Sequence, residues 1–296
     1  MKITRFCPAK VNLFLEVVGK RPNGYHELST LFAKISLGDT LTVEATPAAK
    51  TEISLKITGP RVKFIPASPN NLVWRAAQRF LDYYGLQAQI DLTLDKQVPI
   101  GAGLGGGSSD AAGVLRALCE MFHKNSLDLV ETAARLGADV PLFLYPDTFL
   151  KGEGIGELLT PIPCTSNLPY VVLVYPNTGV STKDVFARMH LPTQEERLTN
   201  LSKLDKLIDV VRNVGSATDW GPLLFNRLEE YVLPFVPAVK QALERLAQLS
   251  KQTSRMSGSG STVFALAPTK ERADQIVSSL SGSNVSAFSV SFYREN

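Results

Sequence analysis

Residues 99–109 read Pro-Ile-Gly-Ala-Gly-Leu-Gly-Gly-Gly-Ser-Ser, five glycines in eleven positions. Glycine has no Cβ and adopts positive φ at little cost, so a chain this rich in it can turn successive N–H groups inward onto an anion. The next residues support that use. Ser108, Ser109 and Asp110 are N-cap residue types, and Ala111, Val114, Leu115, Leu118, Met121 and Phe122 share one face of a helix predicted over 109–122. A glycine loop that runs into a helix N-terminus meets unpaired N–H groups and the positive end of the helix dipole, and both favour phosphate. Pro99, Ile100, Gly101, Ala102, Gly103, Leu104, Gly105, Gly106, Gly107, Ser108 and Ser109 are therefore expected to hold phosphates.

Better-known phosphate loops differ in spacing or context. A Walker loop ends in Gly-Lys-Ser/Thr, whereas Gly106 is followed by Gly107 and Ser108. Gly101, Gly103 and Gly106 match the dinucleotide spacing, but that fold wants an acidic residue about 20 positions on, closing a second strand, and Glu120 falls inside the predicted helix. The H-R-D and D-F-G motifs of protein kinases do not occur. A glycine-rich linker would not explain the apolar helix behind the loop.

Composition suits a soluble enzyme. The chain has 296 residues, is 44% hydrophobic and carries a formal net charge of +3, too small and too evenly spread to argue for nucleic acid or a membrane surface. Cys7, Cys119 and Cys164 cannot all pair, and no metal-ligand spacing occurs among Cys and His, which points to a reducing compartment. The first residues show no apolar signal core or transit composition, so a cytoplasmic location is expected.

Alternation at Val11, Leu13 and Leu15, at Leu41 and Val43, at Ile53, Leu55 and Ile57, and at Ile90, Leu92 and Leu94 predicts strands of an open sheet. Helices are expected over 72–84, 109–122 and 127–136, with Gly137 as the C′ residue of the third. A Gly-, Pro-, Ser- and Thr-rich stretch between residues 152 and 168 places a domain boundary, giving domains 1–160 and 161–296. The second half is expected to hold helices from Lys183, Lys203, Leu223 and Ala238, and strands over 170–174, 262–267 and 285–292. The fold class is α+β in two domains.

The loop resembles the second motif of the GHMP kinases, the superfamily of galactose, homoserine, mevalonate and phosphomevalonate kinases. Pro8 to Phe32 (PAKVNLFLEVVGKRPNGYHELSTLF), GLGGGSSDAA and LGADVPLFL, in that order and spacing, are similar to one branch. That branch, in the non-mevalonate route to isoprenoid precursors, phosphorylates the 2-hydroxyl of a cytidine-diphosphate-linked methylerythritol. Arg255 to Phe264 (RMSGSGSTVF) resembles the superfamily's C-terminal glycine motif, so the likeness spans nearly the whole chain. It implies an N-terminal domain of a type shared with a ribosomal protein, containing a left-handed β-α-β crossover, and an α/β-sandwich C-terminal domain. ATP is the implied phosphoryl donor and Mg²⁺ the implied metal, with the metal's ligands unknown. The implied partners are ATP and the acceptor, with no nucleic acid or membrane and a monomer or weak homodimer as the assembly.

Individual residues take on roles through that resemblance. Asp139, in GADVP, reads from sequence as an N-cap for a short helix opened by Pro141; the family's general base falls on this Asp. Lys10 lies in an apolar strand either as an end residue reaching solvent or as a charge held in a site. The family's lysine sits beside the base, where it would keep the carboxylate ionised and stabilise the transferred group. Asn12 shares its strand face and would bind substrate. Tyr25 and His26 follow the turn Arg21-Pro22-Asn23-Gly24 and read from sequence as surface; the resemblance implies that the phenol stacks on cytosine and the imidazole bonds the base edge. Thr182 matches a hydroxyl brought to the substrate, and Asn71 and Leu72 fall where the family holds adenine. Residues 257–261 are either a flexible lead into a strand or one wall of a pocket whose other wall is the phosphate loop. Two other readings stand beside the kinase: a catalytically silent nucleotide- or sugar-sensing module, and a GHMP kinase for another small alcohol.

Overall fold

The computed structural model describes residues 1–60, 62, 65–164, 168–213, 216–280 and 284–295. Along the chain run β1 (Lys2–Lys20), β2 (His26–Pro47), β3 (Glu52–Thr58), α1 (Leu72–Tyr84), β4 (Ala88–Asp95), α2 (Gly106–Met121), α3 (Val130–Leu136), β5 (Phe149–Gly154), β6 (Leu158–Ile162) and β7 (Tyr170–Tyr175). Then come α4 (Thr182–Arg188), α5 (Gln194–Arg212), α6 (Ala217–Trp220), β8 (Phe225–Asn226), α7 (Glu229–Val232), α8 (Pro237–Ser250), β9 (Ser254–Met256), β10 (Val263–Ala267), α9 (Lys270–Ser278) and β11 (Ser286–Val290). Two compact units alternate along the sequence: residues 1–9, 37–100 and 105–146 form one, and residues 10–36, 101–104 and 147–296 the other. The long strands β1 and β2 each begin in one unit and end in the other.

The first unit contains a β-α-β element. Strands β3 and β4 are parallel, with Ile53 opposite Ile90 and Leu55 opposite Leu92, and α1 connects them. The last part of β2 pairs antiparallel on the other side of β4. Alternation in β4 buries Ala88, Ile90, Leu92 and Leu94 and exposes Gln89, Asp91 and Thr93, the pattern of a sheet with one packed face. Helix α1 starts where the Asn71 side chain accepts from Val73 N and ends at Gly85 in the left-handed region, burying Val73, Ala76, Ala77, Phe80 and Leu81 along one stripe. Helix α2 packs on α1 and on a 3₁₀ turn at Pro141–Leu144.

In the second unit the first part of β2 pairs with β5, β5 with β6, and β8 joins β1 in parallel. A separate antiparallel sheet has the order β11-β7-β10-β9. Strands β7 and β10 are buried along nearly their whole length, because α8 and α9 pack on this sheet and Leu15 and Val17 of β1 join the same core as Val172, Val174, Val263 and Ala265.

Several elements depart from expectation. Helix α2 begins at Gly106, with Gly105 at φ 69° in the cap position and no side-chain cap, so Ser108, Ser109 and Asp110 lie inside the first turns. Gly137 does close α3, but with extended backbone and without the left-handed turn expected of it. The helix expected from Lys203 starts earlier, at Gln194, where Thr193 and Glu196 form a capping box. From Leu223 no helix runs: the chain leaves a 3₁₀ turn at Leu224 in extended conformation and pairs with β1, tertiary pairing overriding local propensity.

Candidate active site

Gly101, Gly103 and Gly105 adopt φ of 64°, 77° and 69°, the conformations that the glycine run is expected to need. Residues 101–104 are held within the second unit by backbone contacts. Lys10 N donates to Leu104 O at 2.9 Å, and Thr262 N donates to Ala102 O at 3.1 Å. Ser257 Oγ donates to Gly103 O at 3.1 Å. A Cβ on Gly103 would stand 2.8 Å from Gly260 O, so this glycine permits direct backbone packing as well as positive φ. The glycine loop and the C-terminal glycine turn, expected as opposite walls of a cleft, are hydrogen-bonded neighbours at this point.

Lys10 and Asn12 are buried on one face of β1. Lys10 Nζ donates to Asn12 Oδ1 at 2.8 Å and lies 5.6 Å from the centre of the Phe32 ring. Asn12 Nδ2 donates to Thr30 Oγ1 at 2.9 Å, and Asn12 N donates to Ser257 Oγ at 3.3 Å. A Cβ on Gly258 would stand 3.3 Å from both Lys10 Nζ and Asn12 Oδ1. Thus the turn over 257–258 lies against the Lys10 ammonium, while the glycine loop meets the Lys10 backbone.

Tyr25 and His26, adjacent in sequence, have opposite exposure. Tyr25 is 59% exposed and His26 9%. His26 stacks on Phe186 of α4, with ring centres 5.1 Å apart and planes 22° apart. Burial, with a smaller contribution from Lys20, pushes the imidazole below its ordinary range and favours the neutral ring. The sequence pattern carries no sign of Phe186: its helical neighbourhood reads as ordinary packing, and only the fold brings it to His26. Thr182 opens α4, and its Oγ1 lies 2.6 Å from Ser259 Oγ, which ties α4 to the C-terminal glycine turn.

The remaining predicted residues belong to the first unit. Asn71 caps α1 and also donates from Nδ2 to Pro66 O at 3.0 Å, while Leu72 is the first residue of that helix. Asp139 is half-buried in the turn before Pro141–Leu144. The cap position of that 3₁₀ turn is Val140, and no side chain caps it. Ser108 Oγ is 3.8 Å from where a Gly137 Cβ would lie, so the start of α2 and the Asp139 block are neighbours within this unit.

A buried ion cluster lies beside Gly106, where a Cβ would stand 3.3 Å from Lys96 Nζ, and of its three members only Asp110 falls within a sequence motif. Lys96 Nζ donates to Asp39 Oδ2 and, at 2.8 Å, to Asp110 Oδ2; Asp39 Oδ1 accepts from Gln97 N at 2.6 Å and Val98 N at 2.9 Å. Burial pushes Asp110 up to about 8; Lys96 opposes the shift and Asp39 adds to it. Burial acts to lower the Lys96 pKa, but the two carboxylates outweigh it and the ammonium is strengthened. Asp39 comes from β2 and Lys96 follows directly after β4, distant positions that no local pattern links.

Among the described residues no group of three or more His, Cys, Asp or Glu is placed to hold a metal. Ser109 Oγ is buried without a hydrogen-bond partner, but one hydroxyl does not make a Mg²⁺ site, which needs several hard oxygen ligands.

Comparison with known proteins shows the family of the chain. The GHMP kinases N terminal domain family matches residues 71–147 and the GHMP kinases C terminal family residues 201–286. The 4-diphosphocytidyl-2-C-methyl-D-erythritol kinase of Geobacter sp. (strain M21) is 38% identical over 267 residues, covering 90% of this chain and 89% of the relative. A crystal structure of 4-(cytidine 5'-diphospho)-2C-methyl-D-erythritol kinase superposes with a TM-score of 0.78 at 33% identity, over 97% of this chain and 98% of that one. Homoserine kinase from Cytophaga hutchinsonii reaches the same TM-score at 18% identity, over 100% of this chain and 96% of its own, a likeness of fold alone. With family matches in both halves and a relative aligned over nine-tenths of its length, the chain belongs to the GHMP kinases, in the branch of the 4-diphosphocytidyl-2-C-methyl-D-erythritol kinases.

Proposed function

We propose that this protein transfers the γ-phosphoryl group of ATP to the 2-hydroxyl of 4-diphosphocytidyl-2-C-methyl-D-erythritol, a step toward isoprenoid precursors. The observation that carries the reading is the 38% identity to the Geobacter enzyme across 90% of the chain, with the Lys10, glycine-loop and Asp139 blocks all present. Phosphoryl transfer asks for alignment and charge stabilisation more than for covalent chemistry. In this reading residues 99–109 bind the phosphates of ATP, with Asn71 and Leu72 near its base. Asp139 accepts the proton of the attacking hydroxyl, and the Lys10 ammonium offsets negative charge on the transferred group. Asn12 and Thr182 orient the acceptor, Tyr25 stacks on its cytosine, and His26, kept neutral by burial, bonds the base edge.

The described residues do not supply a set of Mg²⁺ ligands, so the metal is read as entering with the nucleotide, and no step is assigned through it. The division into domains 1–160 and 161–296 is retained as a proposal; the two family matches fall on either side of it. Among the described residues no helix is long and apolar enough to cross a membrane. A cytoplasmic monomer or weak homodimer is the proposed form.

A coupled ATP-turnover assay with the cytidyl acceptor against mevalonate, homoserine and galactose tests the reading. Turnover of the cytidyl compound is expected, and turnover only of another alcohol, or of none, would overturn it. Asp139→Asn keeps the shape and removes the base, so kcat should fall by about 10² to 10⁴ with little change in melting temperature. A variant that melts early yet keeps full kcat in its folded fraction would make Asp139 purely structural.

A further inference from the structure

Asn226 lies in β8, outside every motif that pointed to the function, and is 3% exposed. Both ends of its amide are used. Nδ2 donates to Met256 O at 2.6 Å and to Gly258 O at 2.8 Å, while Oδ1 accepts from Leu228 N at 2.9 Å. Three residues on, Glu229 accepts from Met256 N at 2.7 Å. Residues 256–258 are thereby gripped through three backbone groups by two side chains of one short segment.

The gripped residues are those that reach the candidate site. Ser257 Oγ accepts from Asn12 N and donates to Gly103 O, and Gly258 lies against Lys10 Nζ and Asn12 Oδ1. A primary amide is suited to this place because one planar NH₂ can serve two carbonyls while its oxygen takes a third group. An aspartate there would oppose the same carbonyls with a second acceptor. We propose that Asn226 is a positioning residue for phosphoryl transfer, holding Ser257 and Gly258 so that the Lys10 ammonium, Asn12 and Gly103 keep their mutual placement.

This inference rests on the kinase reading, and wild-type turnover of the cytidyl acceptor, measured first, tests that reading separately. With active wild-type enzyme in hand, Asn226→Ala and Ser257→Ala are compared by steady-state kinetics well below their melting temperatures. Displacement of a positioned group by about 1 Å can cost about 10² in rate, so kcat should fall about 10- to 100-fold in Asn226→Ala. KM for ATP and for the acceptor should each change by less than about threefold, because alignment and not uniform binding is lost. Ser257→Ala, which removes the link itself with little loss of volume, should lower kcat in the same direction at an unchanged melting temperature. A kcat within about twofold of wild type in Asn226→Ala, or a rise in KM alone, would overturn the proposal. If Asn226→Ala does not fold, Ser257→Ala decides: full kcat there overturns it.

Discussion

Two glycine turns of this chain, residues 97–106 and 256–262, are secured by different chemistry. The first is flanked by a lysine between two aspartates: Asp39 takes the N–H groups of Gln97 and Val98 at the loop's entry, and Lys96 reaches Asp110 in α2. The second is held by the neutral amide of Asn226, with one carboxylate, Glu229, on Met256 N. An ion cluster of one cation and two carboxyl groups costs much desolvation and is strong only when every partner is present. An amide holding two carbonyls costs less to bury and does not titrate. The first turn should therefore respond to charge removal and to pH, and the second chiefly to loss of geometry.

Lys96→Met tests the first half of that contrast most severely. The substitution leaves Asp39 and Asp110 buried without their cation, and breaking a buried ion pair from one side costs about 3 to 5 kcal/mol. Urea unfolding monitored by circular dichroism should show a loss of this size. A loss below about 1 kcal/mol, the level of an exposed pair, would mean that the cluster anchors nothing.

A proton provides the next test. Folded Asp110 holds its proton up to about 8, against 3.8 for the ordinary side chain, so between those values the folded protein binds more protons than the unfolded chain. Stability from this group is present at low pH and declines as pH rises through that window, with a slope of at most about 1.4 kcal/mol per pH unit for one proton. Asp110→Asn cannot ionise and should flatten that decline when unfolding is followed from about pH 5 to about pH 8. Parallel curves for variant and wild type would place the slope elsewhere. In the Asn226 turn the amide contributes nothing to it, and only Glu229, whose carboxyl burial pushes above its ordinary value, adds to the decline from that side.

Legibility from the sequence divides along the same line. Helix α1 is legible over its whole length, because an apolar stripe, Asn71 at its start and Gly85 at its end all act within a few residues. The glycine loop is legible for the same reason, its φ values being a local property of glycine. The sequence places helix α2 too late because Ser108, Ser109 and Asp110 look like caps, whereas Gly105 supplies the turn and no side chain caps it. Long-range pairings hide the rest. Asp39 and Lys96 are 57 positions apart, Asn226 and Met256 30, and Phe186 meets His26 only through the packing of α4. The short β8 in particular reads as helix until its pairing with β1 is known.

A third glycine turn, Asn23–Gly24, sharpens the comparison because its hydrogen bonds are local. Arg21 N donates to Tyr25 O at 2.7 Å, Gly24 N to Arg21 O at 2.9 Å and Tyr25 N to Asn23 Oδ1 at 3.2 Å, while the Tyr25 ring stands 59% exposed. Changes there should alter recognition and leave the fold intact. If the ring stacks on cytosine, Tyr25→Ala should weaken acceptor binding by about 1 to 3 kcal/mol, roughly five- to more than a hundredfold, without change in ATP affinity or melting temperature. Tyr25→Phe keeps the stacking face and should bind nearly as well as wild type; a large loss would transfer the credit to the phenol hydroxyl. If the imidazole bonds the base edge, His26→Ala should narrow the preference for cytidine over uridine as well as lower affinity. Isothermal titration with the acceptor, and separately with a nonhydrolysable ATP analogue, distinguishes these outcomes. Unchanged acceptor affinity in Tyr25→Ala would return the ring to ordinary surface and leave base recognition to His26 and its neighbours.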